Sequence, residues 1–441
     1  MLKGYREYKN ITEFWLSSIP ANWDNIKIKH LFKERVEKGH PNKPLLAATQ
    51  SLGVVPKKLY GNRTVEASKD LHLLKLVKAG DFVISLRSFQ GGIEYAYYEG
   101  IISPAYTIMI PDNNISVHYF RYLFKTVRFV ELLQNCVTGI REGQNIDYSK
   151  LRNHLIPIPT RTEQEQIVRY LDWKISLINK YINAKKKQIE LLKEQKQAII
   201  NQAVTKGLNS KVPMKESGID WLGKIPKHWE VLDLKRVTKT VKTGGTPSGA
   251  SEKYYSECGL DWYTPGDFSD DIFLKQSVRK LSSLGENEVK TFPPNTIFFI
   301  GIGGTLGKVS VSKKMASCNQ QINAIICKSS YNEIFLTFYL RMIRNHIYNT
   351  AKYTTLPILN QEETKNIPVP FFDIAEQENI VNYLLSIENT YNKFISNLEK
   401  QIILIQEYRT RLISDVVTGK VDVQGIEAPE ICIKNENLSI Y

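Results

Sequence analysis

The sequence of 441 residues is poor in the side chains that build metal sites and disulfide frameworks. It has five cysteines without a C-x-x-C pair, and its seven histidines form neither an H-x3-H nor an H-E-x-x-H pair. Structural zinc sites and redox pairs usually show such short spacings. We therefore expect neither zinc nor disulfides, and instead free, buried thiols at Cys136, Cys258, Cys318, Cys327 and Cys432.

Long apolar runs are also missing. No stretch approaches the roughly 20 apolar residues of a membrane-spanning helix, and residues 1–7 lack the apolar core of a signal peptide. No amphipathic anchor or lipidation motif accompanies the basic segments. The sequence therefore predicts a cytoplasmic protein that binds no membrane.

The motifs of common catalytic sites are missing as well. The glycine-rich segment 301–309 resembles a phosphate loop, but five residues separate Gly301 from Gly307, and Val309 replaces the Ser or Thr that would hold magnesium. There is no methyltransferase N/D-P-P-Y/F tetrapeptide, no D-E-x-H or G-x-S-x-G motif, and no convincing P-D-x(n)-E-x-K pattern. We expect a turn between strands at this segment, and a chain that catalyses nothing alone.

What the sequence has in excess is positive charge. Lysine and arginine number 59 against 45 aspartate and glutamate residues, which gives a formal net charge of +14. The excess lies in residues 1–370, whereas residues 371–441 are acidic. A basic balance of this kind favours a polyanionic partner.

The sequence also repeats itself. Three motifs recur in the same order: W-x3-I-P-x2-W at Trp15 and Trp221, I-P-x-P at 156–159 and 367–370, and E-Q-x2-I-V at 163–168 and 376–381. Their offsets are 206, 211 and 213 residues. Such self-similarity indicates one repeat of roughly 210 residues written twice.

Each repeat is predicted to combine strands and helices. Short apolar runs at 81–85 and 296–300 predict strands, and longer ones at 117–133 and 334–348 predict helices. The globular parts are therefore expected to be mixed α/β.

Paired tryptophans stand at the start of each repeat. A stacking platform for single-stranded nucleic acid is one possible use of them. Their fixed spacing beside Ile-Pro favours packing of the opening segment instead, by Trp15, Trp23, Trp221 and Trp229.

A heptad pattern follows each I-P-x-P motif. Apolar residues keep a 4-3-4-3 spacing for about four and a half heptads, interrupted by two charged positions in each repeat. The predicted apolar seam consists of Leu171, Ile175, Ile178, Ile182, Ile189, Leu192 and Ile199, and of Leu384, Tyr391, Ile395, Leu398, Ile402, Ile405 and Leu412. Because the first helix is basic and the second acidic, we expect them to form an antiparallel intramolecular coiled coil. Centred antiparallel pairing brings Lys196 near Glu388.

Taken together, the two W-x3-I-P-x2-W motifs and the I-P-x-P and E-Q-x2-I-V motifs before each long helix closely resemble the specificity subunit of type I restriction-modification systems. Residues 242–247 (K-T-G-G-T-P) followed by 259–267 (G-L-D-W-Y-T-P-G-D) look like the opening of a target recognition domain of that family. The first repeat lacks G-G-T-P and has residues 45–50 leading to 53–56, a variant also seen in the family.

That resemblance implies a pseudo-two-fold tandem repeat in which two long helices separate two α/β target recognition domains. The domains are expected at 1–160 and 209–370, the helices at 161–208 and 371–421, and an acidic tail at 422–441. By resemblance, each domain reads one half of a bipartite DNA target. The helices act as a spacer that sets the gap between the halves.

The resemblance also implies partners. The chain is expected to bind double-stranded DNA, two modification (methyltransferase) subunits and, through them, restriction (translocase and endonuclease) subunits. S-adenosylmethionine, ATP and magnesium are expected on those partners and no cofactor on this chain. The alternative function is a stand-alone DNA-binding regulator or scaffold, and a more remote one is a nuclease with an unrecognised site.

Candidate DNA-contacting residues are polar side chains in turns, because Arg and Lys suit guanine while Asn and Gln suit adenine. They are Lys57, Lys58, Arg63, Arg87, Gln90, Arg141, Gln144 and Asn145 in the first domain, and Lys242, Thr246, Lys253, Tyr254, Lys308, Lys352 and Asn360 in the second. The loop 138–145 is the strongest candidate. We expect Asn319, Gln320 and Gln321 to be buried, and residues 185–187 to be solvated helix surface.

Overall fold

The computed structural model describes residues 3–60, 70–139, 145–248, 251–353 and 356–429, with the side chains of residues 352 and 353 outside that description. It forms two compact units, one of Met1–Lys186 with Glu399–Tyr441 and one of Lys187–Leu398. Each unit therefore contains one globular domain and part of both long helices.

The first unit contains short strands connected by short helices. Its strands are Tyr8–Asn10, Ser18–Pro20, Asp24–Lys27, Phe32–Arg35, Leu46–Thr49, Gly53–Pro56, Lys75–Val77, Phe82–Ile84, Glu94–Tyr95, Gly100–Ile102, Thr107–Pro111, Val137–Thr138, Asn145–Ile146 and Leu155–Ile158. Its short helices are Ile28–Leu31, Lys57–Tyr60, Leu71–Leu73 (3-10), Ser88–Gly91, Val117–Leu123, Val127–Asn135 and Tyr148–Leu151.

The second unit has a similar composition of elements. Its strands are Met214–Glu216, Lys224–Pro226, Glu230–Asp233, Thr238–Thr243, Tyr255–Ser256, Leu260–Tyr263, Lys280–Leu281, Thr296–Ile300, Val309–Ser312, Ala316–Cys318, Ile322–Cys327, Lys352–Tyr353, Pro357–Ile358 and Pro368–Phe371. Its short helices are Leu234–Val237, Glu252–Tyr254 (3-10), Pro265–Asp267 (3-10), Ser283–Glu288, Glu333–Met342, Arg344–Thr350 and Gln361–Lys365.

The repeat is visible in the central sheets. Each unit has a four-stranded antiparallel sheet in which the fourth strand along the chain lies between the first two. The spatial orders are Phe32–Arg35, Thr107–Pro111, Phe82–Ile84, Glu94–Tyr95 in the first unit and Thr238–Thr243, Ile322–Cys327, Thr296–Ile300, Val309–Ser312 in the second. The predicted mixed α/β fold and tandem repeat are therefore confirmed.

The repeated motifs are joined to each other by hydrogen bonds. The indole N–H of Trp23 donates to Glu163 at 2.8 Å, and that of Trp229 donates to Glu376 at 3.2 Å. Trp23 and Trp229 are fully buried. Because an unpaired buried N–H is costly, the tryptophan requires the glutamate that opens the long helix. This pairing explains why the two motifs recur together, and it supports packing over base stacking.

The glutamine of each E-Q motif fixes the preceding chain to the long helix. Gln164 accepts from the N–H of Ser116 at 2.8 Å and donates to the Pro159 carbonyl at 2.9 Å. In the second unit, Gln377 accepts from the N–H of Asn332 at 2.8 Å. Each buried glutamine thus links a short helix of its domain to the first turn of the long helix.

The long helices are Arg161–Lys206, of 46 residues, and Ile374–Val417, of 44 residues; we call them the central and the terminal helix. In the first unit, Asn179 contacts Arg409 at 2.8 Å. In the second, Lys196 and Glu388 form an ion pair at 3.0 Å. In the first unit, Tyr181 also donates to Gln401 at 3.3 Å, so partner numbers fall along one helix as they rise along the other and the pairing there is antiparallel. The predicted Lys196–Glu388 pair is confirmed.

Burial follows the predicted seam. Ten of its positions are buried: Leu171, Ile175, Ile178, Ile182, Ile189, Leu384, Ile395, Leu398, Ile402 and Leu412. Leu192, Ile199, Tyr391 and Ile405 are half-buried. Lys186 and Lys187 are exposed, as expected for solvated helix surface, whereas Lys185 is half-buried.

Two predicted helices are in fact pairs of helices. The segment 117–133 is interrupted because Thr126 takes an extended conformation and its hydroxyl caps the N–H of Phe129 at 3.3 Å. The segment 334–348 is interrupted at Ile343, which has a ψ of 2°. The apolar pattern continues across both interruptions, so periodicity alone does not show them.

The cysteine prediction was partly wrong. Cys136 and Cys318 are buried and Cys327 is half-buried, but Cys258 is exposed. Its backbone N–H donates to the Ser256 hydroxyl at 3.2 Å in the turn before a strand, which leaves the thiol outside the core. Cys432 lies outside the described residues.

Exchanging the charges of Lys196 and Glu388 tests the helix register. Lys196→Glu places two carboxylates together and is expected to lower the free energy of unfolding by about 1 kcal/mol, because both side chains are mostly but not fully buried. The double variant Lys196→Glu/Glu388→Lys should recover most of that loss. Urea unfolding measures both, and a double variant no more stable than the single one would contradict the pairing.

Candidate nucleic-acid interface

Loops at one end of the second unit's central sheet form a polar surface. The glycine-rich segment connects strand Thr296–Ile300 to strand Val309–Ser312, so the predicted turn between strands is confirmed. Gly303 and Gly307 have φ values of 103° and 80°, a region that L side chains rarely adopt. The backbone can therefore turn sharply here without a side chain covering it.

Hydrogen bonds join this turn to the hairpin 352–358. The N–H of Gly303 donates to the Pro357 carbonyl at 3.0 Å, and the N–H of Leu359 donates to the Gly301 carbonyl at 2.8 Å. Asn360 follows immediately and caps helix Gln361–Lys365, where its side-chain oxygen accepts the N–H of Glu363 at 2.9 Å. Its side-chain oxygen is thus already used by the helix cap.

The end of strand Thr238–Thr243 reaches the same surface. Lys242 and Thr246 are exposed, and the Thr246 hydroxyl donates to Gln320 at 2.5 Å. Asn319 is buried as predicted, whereas Gln320 is exposed and Gln321 half-buried. The prediction of burial was wrong for Gln320, because the turn after strand Ala316–Cys318 directs alternate side chains outward.

A cleft of about 690 Å³ lies within this surface. It is lined by Trp262, Thr264, Pro265, Gly266, Asp267, Val278, Arg279, Ile302, Gly303, Gly304, Thr305, Asn319 and Gln321. Arg279 is exposed, and its guanidinium lies 5.6 Å from the Tyr255 ring. Sequence reasoning missed Arg279, because only the folded sheet brings it beside Gln321. We call the exposed side chains of Lys242, Thr246, Arg279 and Gln320, together with the half-buried Gln321, the second loop surface.

The other second-domain candidates lie elsewhere or are only partly described. Lys253 is exposed, and its ammonium lies 4.9 Å from the Tyr254 ring. Lys308 does not line the loop cleft; its ammonium donates to the Phe268 carbonyl at 3.3 Å. The side chain of Lys352 lies outside the described residues.

The first unit places candidates at matching positions. Arg87 and Gln90 are exposed in the turn after strand Phe82–Ile84, which holds the same sheet position as Thr296–Ile300. Asn145 is exposed at the end of a hairpin that precedes a capped helix, as Pro357–Ile358 does in the second unit. Lys58 is exposed and Lys57 half-buried in helix Lys57–Tyr60. Arg63, Arg141 and Gln144 lie outside the described residues.

A buried ion pair supports the turn that carries Arg87 and Gln90. The ammonium of Lys125 lies 2.5 Å from Glu94 and donates to the Gly91 carbonyl at 2.9 Å. Burial raises the pKa of Glu94 to about 7, and burial also lowers the pKa of Lys125. In this buried, water-poor environment, the charge of each side chain stabilises the charge of the other. The pair thereby fixes the end of helix Ser88–Gly91.

Two kinds of site are not found in the described ranges. No group of three or more His, Cys, Asp or Glu side chains is placed to hold a metal ion there. None of the helices within those ranges combines the length and the apolar composition needed to cross a membrane.

Comparison with known proteins gives consistent matches. The type I restriction modification DNA specificity domain matches residues 226–403. The chain is 24% identical to the specificity subunit of type I restriction enzyme MjaVIII from Methanocaldococcus jannaschii, across 97% of this chain and 99% of that protein. It is 25% identical to the EcoR124I/EcoR124II specificity subunit from Escherichia coli, across 69% of this chain and 72% of the relative.

Solved structures share the fold. A chain from a study of complex assembly in a type I restriction-modification system superposes with a TM-score of 0.69 at 14% identity, covering 91% of this chain and 99% of that one. The specificity subunit HsdS from Thermoanaerobacter tengcongensis gives a TM-score of 0.52 at 14% identity, covering 91% and 98%.

The duplicated α/β domains and the paired long helices agree with these matches, which make the chain similar to proteins of type I restriction-modification systems. Residues 226–403 match the specificity domain of those systems, and the similarity to specificity subunits extends over nearly the whole chain.

Proposed function

We propose that this chain is the sequence-specific DNA-binding subunit of a type I restriction-modification complex. Each unit reads one half of a bipartite target through its loops, and the long helices set the gap and dock the modification subunits. The observation that carries this proposal is the repetition of one loop arrangement at the same end of two equivalent sheets. Two copies of one DNA-reading domain fit a target that consists of two half-sites.

The chemistry of the second loop surface supports base reading. The side-chain oxygens of Gln320 and Gln321 already accept from Thr246 and Asn319, which leaves their NH2 groups to donate to adenine N7. Arg279 can donate two hydrogen bonds to guanine. The neighbouring Lys242 is exposed and can contact phosphate. The net charge of +14 adds a sequence-independent attraction to DNA.

Catalysis in such a complex belongs to the partners. Two modification subunits would carry S-adenosylmethionine and methylate DNA, and restriction subunits would use ATP and magnesium. This chain contributes recognition and assembly. A DNA-binding regulator without such partners is the second candidate, and co-purification with both kinds of subunit distinguishes the two.

Arg279→Ala is the variant that tests the second loop surface. We expect selection from random duplex DNA to give a bipartite target for the unaltered chain, assembled with its modification subunits. The variant should lose about 1 to 3 kcal/mol of binding free energy, or roughly fivefold to 150-fold in affinity, and lose base specificity at one half-site only.

Arg236→Ala is the matched control. Arg236 is exposed on the short helix that precedes strand Thr238–Thr243, at the end of that strand remote from Lys242. Its replacement should leave both half-sites unchanged. Equal effects of the two variants, or relaxation of both half-sites by Arg279→Ala, would count against base reading by this surface.

A further inference from the structure

A second cleft in the second unit contains a concentration of positive charge. Its volume is about 440 Å³, and it lies between residues 193–200 of the central helix, residues 388–395 of the terminal helix and the helix pair Glu333–Met342 and Arg344–Thr350. Five cationic residues line it: Lys193, Lys196, Lys308, Arg341 and Arg344. It shares no lining residue with the cleft of the second loop surface. We call it the cationic cleft.

Most of these cations contact no carboxylate. Lys196 is paired with Glu388 at 3.0 Å. Lys308 donates to the Phe268 carbonyl and the Nε of Arg344 donates to the Leu306 carbonyl, both at 3.3 Å. Within the described part of the chain, the side-chain nitrogens of Lys193, Lys308 and Arg344 have no carboxylate oxygen within 4.0 Å. The cleft therefore keeps positive charge that no neighbouring side chain neutralises by contact.

Arg341 is held in place by neutral oxygens. Its guanidinium donates to the carbonyls of Val309, Asp270 and Asp271 and to the Ser310 hydroxyl. Burial lowers the pKa of Arg341, the carboxylates of Glu388, Asp270 and Asp271 oppose that change, and the Arg344 cation adds a smaller lowering. A bound anion would offset the electrostatic cost of burying this cation.

The first unit has a comparable cleft with a different charge pattern. It lies between the start of helix Val127–Asn135 and the terminal helix. Its cations are paired with carboxylates: Arg128 with Glu131 at 3.8 Å, Arg411 with Asp415 at 3.3 Å and Lys420 with Asp415 at 3.6 Å. The unpaired cations of the second unit are therefore not a consequence of the repeated architecture.

We propose that the cationic cleft binds phosphate groups. Lysine and arginine side chains supply several N–H donors around one space, and Gln197 and Asn392 add amides at its border. Its volume falls in the range of small-ligand sites, about 300 to 1,000 Å³. The phosphate can come from the backbone of bound DNA, a case that rests on the proposed function, or from a free polyphosphate.

The double variant Lys193→Gln/Lys308→Gln tests the proposal on the full chain. Arg341 is left unchanged because its hydrogen bonds hold the fold together. Inorganic tripolyphosphate is titrated by calorimetry, and we expect at least a tenfold loss of affinity in the variant. The single variant Lys193→Gln, at an exposed helix position, should show part of the loss and keep the unaltered melting temperature.

DNA binding forms the second arm of the experiment. The affinity for a random duplex is measured at several salt concentrations, and each lost phosphate contact lowers the slope of log affinity against log salt by about 0.9. We expect the double variant to lower that slope by about one to two if the DNA backbone occupies the cleft. The control Arg128→Gln/Lys420→Gln alters the first-unit cleft and should change neither arm.

The two arms separate the sources of phosphate. Loss of tripolyphosphate binding with an unchanged salt slope assigns the cleft to a free anion, and a reduced slope assigns it to DNA. A variant that matches the unaltered chain in both arms overturns the proposal. Selection of a bipartite target is measured separately, so failure of sequence recognition would be seen independently of the cleft.

Discussion

Lys125→Met is expected to lower the free energy of unfolding by about 3 to 5 kcal/mol, because it leaves the buried carboxylate of Glu94 without its cationic partner. Both side chains of the pair are more than nine-tenths buried. Urea unfolding of the unaltered chain and the variant measures the difference. The turn carrying Arg87 and Gln90 should lose its order, because Lys125 also donates to the Gly91 carbonyl.

The loss should depend on pH. The pKa of Glu94 in the folded chain is raised to about 7, above that of the unfolded chain, so its contribution to stability is greatest at low pH and falls as pH rises towards 7. Without Lys125 the folded pKa rises further, and the fall continues above pH 7 at up to about 1.4 kcal/mol per pH unit. The difference in free energy of unfolding between the unaltered chain and the variant should therefore increase from pH 7 to 8.5.

Lys43→Met is the control for that experiment. Lys43 pairs with Glu99 at 2.9 Å in the same unit, but both side chains are more than two-fifths exposed. Exposed pairs contribute at most about 1 kcal/mol. Similar losses of unfolding free energy in the two variants would show that the buried pair contributes no more to stability than the exposed one. A loss in Lys125→Met that does not change with pH would show the same.

Lengthening both long helices by one heptad is expected to widen the gap in the DNA target. The central helix has 46 residues and a length of about 69 Å at roughly 1.5 Å per residue. Insertions after Leu192 and near Asn392, which faces that turn in the register of Lys196 with Glu388, keep the apolar seam and add about 10.5 Å, or roughly three base pairs. Both half-site sequences should stay the same.

Twist limits the activity of that variant. Three base pairs rotate the second half-site by about 100°, so binding should weaken even as the gap grows. Inserting four residues in each helix instead disrupts the heptad register and should lower stability. A folded heptad variant with an unchanged gap would mean that the helices do not set the spacing.

Features set by local periodicity could be predicted from the sequence. Strand Thr296–Ile300 is a short apolar run, and the seam from Leu171 to Leu412 follows a regular spacing that repeats. The contact of Lys196 with Glu388 followed from register alone. The strand and the seam held because each depends on neighbours along one strand or one helix, and the contact held because it depends only on the register between two regular helices.

Features set by tertiary contact could not be predicted. Arg279 reaches the second loop surface because strand Leu260–Tyr263 pairs with both Lys280–Leu281 and Ala316–Cys318. Lys308 donates to the Phe268 carbonyl and lines the cationic cleft, a position that its glycine-rich surroundings do not reveal. The division at Thr126 depends on one side-chain cap within an apolar run.

The exchange of one recognition domain tests the central claim most directly. Residues 9–155 are replaced by the matching segment of another specificity subunit, and methylated bases are mapped in cells that express the hybrid with its modification subunits. The account predicts that one half-site changes, while the other half-site and the gap stay the same. A change in both half-sites would contradict independent reading by the two units.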